Sequence, residues 1–386
     1  MPNQPADRLC MIDPGADLES LGERARRLAG EVFVPIAEKG EFGRVNRPLV
    51  RAIGEHGLLA ELFPQEQIGE PERRTSALRL AELKEYLARG CTAAEDALGL
   101  QGLGFYPIWR WGTADQVARW RPGVVDGTTD AAYALTEPDA GSDTASMRLT
   151  ATRDGDAYLL NGTKIYISNA PEADVYTVYA RTADTGRRGV TAFIVPGDAD
   201  GLGGEPIDLI MSHPVGRLEF DDVRVPAANV LGEVDGGYEI AMSTLELFRI
   251  SVGGFAVGCA EAAIEAAVAH AGTRRQFGGP LAGLQAVGHK LADMTAATAA
   301  ARLLIYHAAR CYDEARQPIR PLSAMAKLQA TETAQWVVDA ALQIHGAAGL
   351  VHDHVLGHLY KEVRAPRIYE GTTEVLRTII AGDLYR

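Results

Sequence analysis

The 386-residue chain reads as a mainly α-helical protein with a β domain in its middle. Three changes of texture carry that reading. Helical stripes run from about Asp17 to Arg121, short alternating or β-branched runs from about Asp130 to Gly232, and alanine-rich helical stretches from Gly237 onward.

In the first zone, Leu18, Leu21, Ala25 and Leu28 form one stripe, and Leu78, Ala81, Leu83 and Leu87 another. Prolines at 35, 48, 64, 71, 107 and 122 predict breaks, and so several short helices rather than long ones. In the second zone the candidate strands are Tyr158–Leu160, Lys164–Ile167, Val175–Tyr179, Val190–Val195 and Gly216–Phe220. Turn signals at Asp154-Gly155, Asn161-Gly162 and Asp200-Gly201 separate them, and Asn161-Gly162 predicts a type I′ hairpin. No helical stretch of a dozen residues intervenes, so an antiparallel sheet or barrel is expected rather than βαβ units. In the third zone Leu284, Val287, Leu291, Met294 and Leu304/Ile305 make one long stripe, and Ala334–His345 gives a further segment, as in a tightly packed bundle. There is no internal repeat and no low-complexity linker.

Composition narrows the function. Hydrophobic residues make up 47% and charged residues 23%, as in a folded globular chain. The net charge of -13 has the wrong sign for a nucleic-acid or anionic-membrane binder, so neither partner is expected. Cys10, Cys91, Cys259 and Cys311 are far apart, which argues against a disulfide framework or a cysteine-rich zinc site. Met1–Leu21 has no basic segment leading into an apolar core, and no 18-residue apolar run follows, so a cytoplasmic location is expected. G-x-G-x-x-G, P-loop, H-E-x-x-H and G-x-S-x-G signatures are absent. His345, His352, His354 and His358 crowd together, but a metal site wants converging ligands with a carboxylate, so surface or interface histidines are expected and no metal.

Four segments carry chemistry. Ala134–Asp143 (A-L-T-E-P-D-A-G-S-D) is a loop whose backbone amides and Thr136 and Ser142 hydroxyls could bond a planar polar ligand or a phosphate; an ordinary Asx/ST-turn loop has the same composition. Asn161–Ala170 (N-G-T-K-I-Y-I-S-N-A) puts Ile165 and Ile167 on one strand face, with Tyr166 and Ser168 on the other, where an aromatic could cover a ring beside a donor hydroxyl. Arg274–Leu281 leads to Gln285 and sets an arginine beside a glycine-rich turn, a possible phosphate clamp. Gln343–Gly349 and Tyr369–Glu374 complete the set, with Glu370 placed where burial could raise its pKa toward that of a general base.

In order and spacing, the motifs from about Ala132 to Arg377 closely resemble the acyl-CoA dehydrogenase family of flavoproteins. T-E-P-x-A-G-S-D and N-G-T-K-x-x-I-S-N look like its middle-domain motifs; R-x-Q-F-G, Q-I-x-G-x-x-G and I-Y-E-G-T look like its C-terminal ones. The resemblance implies an N-terminal helical domain (residues 1–128), a middle antiparallel β-barrel or sandwich (129–233) and a C-terminal four-helix bundle (234–386). It implies FAD held by the middle domain and the bundle, its adenine end reaching a neighbouring subunit of a homodimer or homotetramer. Thr136 and Ser142 would bond the flavin and its phosphate, Tyr166 would pack on the ring in place of the usual tryptophan, and Ser168 would approach N5. Arg274, Phe277, Gln285, Gln343 and Gly346 would hold the pyrophosphate and adenosine, and Thr372 would face FAD.

Glu370 falls at the family's catalytic-base position. The implied reaction is α,β-dehydrogenation of an acyl thioester, on CoA or a carrier protein, with the α-proton going to Glu370 and the β-hydride to flavin N5. An electron-transfer flavoprotein would reoxidise the flavin. Some members carry the base one residue before the position of Arg249; Phe248 stands there, which leaves Glu370 as the candidate and suggests a short or small branched acyl group. Glu246, Arg249 and Tyr369 fall near the substrate. The chain departs from the family at Gln65–Glu72, where relatives have a glycine-rich loop, and at Ala347 and His358. Two rival readings share the fold: a flavin oxidase or monooxygenase using O₂, and a catalytically silent acyl-carrier-binding scaffold.

Overall fold

The computed structural model describes residues 16–70, 72–316 and 319–385; Cys10, Pro71 and the side chain of Leu18 lie outside the described set. Among the described residues the chain opens with helices α1 (Ala16–Leu28), α2 (Val34–Ala37), α3 (Arg47–Glu55), α4 (Ala77–Gly90), α5 (Thr92–Trp111) and α6 (Ala114–Val125). Strands follow: β1 (Ala131–Ala134), β2 (Thr150–Asp154), β3 (Ala157–Ser168), β4 (Val175–Arg181), β5 (Val190–Pro196), β6 (Leu202–Pro206), β7 (Val215–Pro226) and β8 (Val230–Leu231). The chain then forms α7 (Gly237–Thr273), a ribbon of β9 (Arg275–Gln276) and β10 (Gly279–Pro280), α8 (Gln285–Asp313), α9 (Ile319–His345), α10 (Val355–Glu362) and α11 (Thr373–Asp383). By contacts the chain divides into two units. One takes the described residues up to Gly30, Ser76–Glu95 and Glu246 onward; the other takes Glu31–Thr75 and Asp96–Leu245.

The second unit is built on an eight-stranded sheet in the order β6-β7-β3-β2-β4-β5-β8, with β1 also on β4. Its core gathers Leu160, Tyr176, Val178, Phe193, Val195, Leu218 and Val223. The expected antiparallel sheet is in fact mixed: β1 runs parallel to β4, from Ala131 opposite Val175 to Ala134 opposite Val178, and β2 meets β4 in parallel at Thr150 and Arg181. A parallel pair needs a long crossover, and here the β2–β3 hairpin supplies it instead of a helix.

The Asn161-Gly162 hairpin is not formed. Both residues lie inside β3, at a register shift against β7, and the turn that joins β2 to β3 is Gly155-Asp156. The Asn161 side chain ties that irregularity to Asp222, accepting from its N–H and donating to its carboxylate, each at 2.8 Å. Two of the proline breaks fail as well, because Pro107 and Pro122 sit inside α5 and α6. Losing one backbone bond is outweighed around Pro107 by burial of Phe105, Tyr106, Ile108 and Trp109. Pro35 and Pro48 instead occupy first-turn positions, and Asn46 caps α3 by accepting from Leu49 N–H at 3.1 Å.

The first unit is a helical bundle with close backbone approaches. Helix α7 is long and apolar enough to cross a membrane by length and composition, yet 72% of its most apolar 18-residue window is buried inside the protein. It therefore reads here as a core helix. Two glycines on α7 let α4 come close: a Cβ at Gly254 would stand 2.4 Å from the Ala81 carbonyl oxygen, and one at Gly258 2.2 Å from that of Glu85. Arg302 on α8 then bridges Glu85 of α4 and Glu261 of α7, each at 2.8 Å. Asp313, at the end of α8, receives the Ala77 and Leu78 N–H groups and the Ser76 hydroxyl at the start of α4.

A side chain at Gly258 has a carbonyl in its way, not a flexible neighbour. Gly258→Val is expected to destabilise by about 1–3 kcal/mol or more, read as a lower urea midpoint at unchanged slope.

Candidate functional site

In the helical unit, the segment between α10 and α11 carries Glu370. Its φ is +52° and that of Gly371 is +99°; a non-glycine residue in that region costs about 1–3 kcal/mol and needs to be held. Two cationic side chains hold the backbone through three hydrogen bonds. Lys327 Nζ on α9 donates to the Tyr369 carbonyl at 2.9 Å and the Gly371 carbonyl at 2.7 Å, and Arg249 Nε on α7 donates to the Glu370 carbonyl at 3.0 Å. Glu332 anchors the flanks, accepting from Arg367 Nε at 2.9 Å and the Thr373 hydroxyl at 2.7 Å. Thr372 caps α11 by accepting from Val375 N–H.

The Glu370 carboxyl has an oxygen, Oε2, that is shut off from solvent and has no hydrogen-bond partner. Among the described residues its backbone N–H has no acceptor either. Burial raises its pKa above the ordinary 4.5, against the pull of Lys84, Lys327 and Arg249. Lys327 is fully buried and its pKa is brought down to about 8 by desolvation. Lys84 on α4 pairs with Glu95 at 2.7 Å. Arg249 and Phe248 are both buried, whereas Glu246 and Tyr369 are half-buried.

In the sheet unit, the two motif segments lie side by side. Ile165 N–H donates to the Thr136 carbonyl at 3.0 Å, and fully buried Lys164 reaches from β3 to the Leu135 carbonyl at 2.9 Å and the Glu137 carboxylate at 2.8 Å. Glu137 also accepts from the N–H groups of Arg148 and Leu149. This pair closes the A-L-T-E-P loop onto the strand, though burial still brings Lys164 down to about 8. Beyond Lys164 the β3–β7 register shifts, and the face alternation expected for Ile165 to Ser168 breaks with it: Tyr166 takes φ +55° and stands 60% exposed. The Ser168 hydroxyl lies 3.0 Å from His213 Nε2, and His213 Nδ1 lies 3.3 Å from Asp96. Thr136 is half-buried and Ser142 exposed, and a Cβ at Gly141 would meet nothing within 4 Å.

The remaining expected site residues are on the helical unit's surface. Phe277 and Gly278 form the tip of the β9–β10 ribbon, both at positive φ, with Phe277 91% exposed. Arg274, Gln285, Gln343 and Gly346 are exposed too, and Arg274 is not among the cations acting on Glu370. Of the crowded histidines, His352 and His358 are exposed as expected, whereas His345 departs from that role: it is buried, gives its Nδ1 proton to the Ala341 carbonyl at 2.9 Å, and stacks on His270 at 4.2 Å. His358 contacts the Thr92 hydroxyl at 2.7 Å. Sequence reasoning missed Lys327, Lys84, Lys164, Glu137 and His213. Only Glu137 and Lys164 had a signal, as an acid and a base within adjacent motifs.

Family models for the N-terminal, middle and C-terminal domains of acyl-CoA dehydrogenase match residues 15–128, 132–223 and 235–385. The chain belongs to the acyl-CoA dehydrogenase family. With it, the chain joins the oxidoreductases that act on CH–CH bonds. It is 37% identical to the mitochondrial short-chain specific acyl-CoA dehydrogenase of Rattus norvegicus, over 95% of this chain and 90% of that one. It is similar to the structure of butyryl-CoA dehydrogenase from Megasphaera elsdenii, with TM-score 0.91 and 33% identity over 97% of this chain and 100% of that one. PigA, solved with FAD and proline, is similar with TM-score 0.89 and 27% identity over 96% of this chain and 98% of that one.

The A-L-T-E-P motif loop depends on one buried pair. Glu137→Gln leaves the Lys164 ammonium buried without its counter-charge and is expected to cost about 3–5 kcal/mol of unfolding free energy in urea titrations. Glu137→Gln with Lys164→Met is expected to cost less than the single change.

Proposed function

We propose that the protein is an FAD-dependent dehydrogenase of acyl thioesters with a short or small branched acyl group, and that Glu370 takes the α-proton. The observation that carries this reading is the Glu370 carboxyl, with Oε2 buried and unpartnered in a family that acts on CH–CH bonds. A carboxylate oxygen that is neither hydrated nor hydrogen-bonded keeps its lone pairs for the substrate proton. The same desolvation that raises its pKa brings its basicity nearer to neutral pH.

The Glu370 N–H, without an acceptor of its own, is suited to receive the thioester carbonyl oxygen and stabilise enolate charge as the α-proton leaves. The backbone that orients both groups is fixed by Lys327 and Arg249. Phe248, buried one position before Arg249, is the bulk proposed to limit chain length.

The residues fit a flavin. An exposed tyrosine beside the Ser168 hydroxyl offers a platform and a donor, and the open backbone at Gly141 next to Ser142 leaves room for a phosphate. Thr136, Ser142, Tyr166 and Ser168 would hold the ring and its phosphate, and Arg274, Phe277, Gln285, Gln343, Gly346 and Thr372 the remainder, as the family resemblance implies. Bound FAD supplies the acceptor for the β-hydride. The domains are proposed to span 1–128, 129–233 and 234–386, with the chain forming a homo-oligomer and passing electrons to an electron-transfer flavoprotein.

Anaerobic flavin bleaching by a panel of CoA and carrier-protein thioesters tests the proposal. Glu370→Gln is expected to keep its FAD while reduction slows by about 10²–10⁴-fold, since the proton has lost its acceptor. In the wild type the rate should rise with pH along a limb centred above 4.5, because only the ionised carboxylate is a base. Near-normal reduction by the variant would remove Glu370 from the reaction, and equal bleaching by C4 and C12 chains would remove the short-acyl assignment.

A further inference from the structure

We propose that Lys327 is a positioning residue for the base: its buried ammonium clamps the carbonyls on both sides of Glu370 and supplies positive charge facing that carboxylate. The inference rests on the assignment of Glu370 above. Its geometry is specific. One Nζ reaches Tyr369 O at 2.9 Å and Gly371 O at 2.7 Å, straddling a residue at φ +52° that would relax without restraint.

Charge makes the second half of the case. Carbonyl oxygens satisfy donors but do not neutralise an ammonium, and among the described residues no carboxylate lies within ion-pair distance of Lys327. The acids that act on it are Glu370 and Glu332, and Glu332 is engaged by Arg367 and Thr373. Of the other cations acting on Glu370, Lys84 on α4 is matched by Glu95, and Arg249 on α7 spends its Nε on the Glu370 carbonyl. Lys327 thus couples backbone shape and side-chain charge at one residue. A lysine burying its charge in an alanine-rich helix has no other evident use there.

Two variants separate the two roles. Lys327→Gln keeps N–H donors but loses the charge; Lys327→Met loses both. In anaerobic flavin reduction, both should move the Glu370 limb of the pH profile to higher pH, since a cation that favours the carboxylate is gone. The high-pH plateau should fall at least tenfold in Lys327→Met and less in Lys327→Gln, and a crystal structure of Lys327→Met should show residue 370 away from left-handed φ. A plateau drop with an unmoved limb, or no change in either, overturns the proposal. Should neither variant fold, lysine ¹³Cε NMR decides the matter in wild type and Glu370→Gln: Lys327 should titrate near 8 and lower once Glu370 is neutral, and an unchanged value overturns the coupling. If Glu370→Gln itself reduces flavin normally, the base assignment fails first, which is a different result from an unmoved Lys327 limb.

Discussion

A half-buried glutamate, Glu370, with one carboxyl oxygen withdrawn from water is the constraint around which the helical unit is organised. Ionised and unpaired, such a group costs several kcal/mol, so its charged form is accessible only where cations stand close. Those cations come from three helices, Lys84 on α4, Arg249 on α7 and Lys327 on α9. Bringing α4 against α7 takes the glycines at 254 and 258, because any side chain there would collide with α4 carbonyls. Helix packing, through two missing Cβ atoms, therefore decides whether the charge of Lys84 reaches Glu370.

The protein uses buried lysines twice, to different ends. Lys164 and Lys327 are both fully buried, both brought down to about 8, and both donate to backbone carbonyls of a motif segment. Lys164 also holds a carboxylate directly, and Glu137 is thereby saturated by one ammonium and two backbone N–H groups. A carboxylate so occupied is a structural fastener. Glu370 differs in that the lysine grips its neighbours' carbonyls and leaves its own oxygen unbonded.

Periodicity was enough to recover the helical zones and the longer strands, because amphipathic stripes and β-branched runs report directly on burial. β1 escaped it: Ala131–Ala134 is buried at every position, so nothing alternates. Asn161-Gly162 misled because the same residues that favour a hairpin turn also relieve a bulge, and only pairing with Asp222 and β7 tells the two apart. Within the candidate site, Glu370 stood out because its neighbours form a local motif. Lys327 lies over forty positions away on an alanine-rich helix, where a lone lysine reads as solvated; its role depends on long-range packing. His213 was equally silent, since its link to Ser168 and Asp96 joins three separate segments.

Infrared difference spectroscopy of protein labelled with ¹³C-glutamate, referenced to Glu370→Gln, measures the protonation of this one carboxyl. The account predicts a protonated C=O band from Glu370 that persists as pH climbs past 4.5 and is absent from the variant. Ionisation complete at or below the ordinary glutamate value would mean that the group is solvated or tightly paired, and would contradict the account.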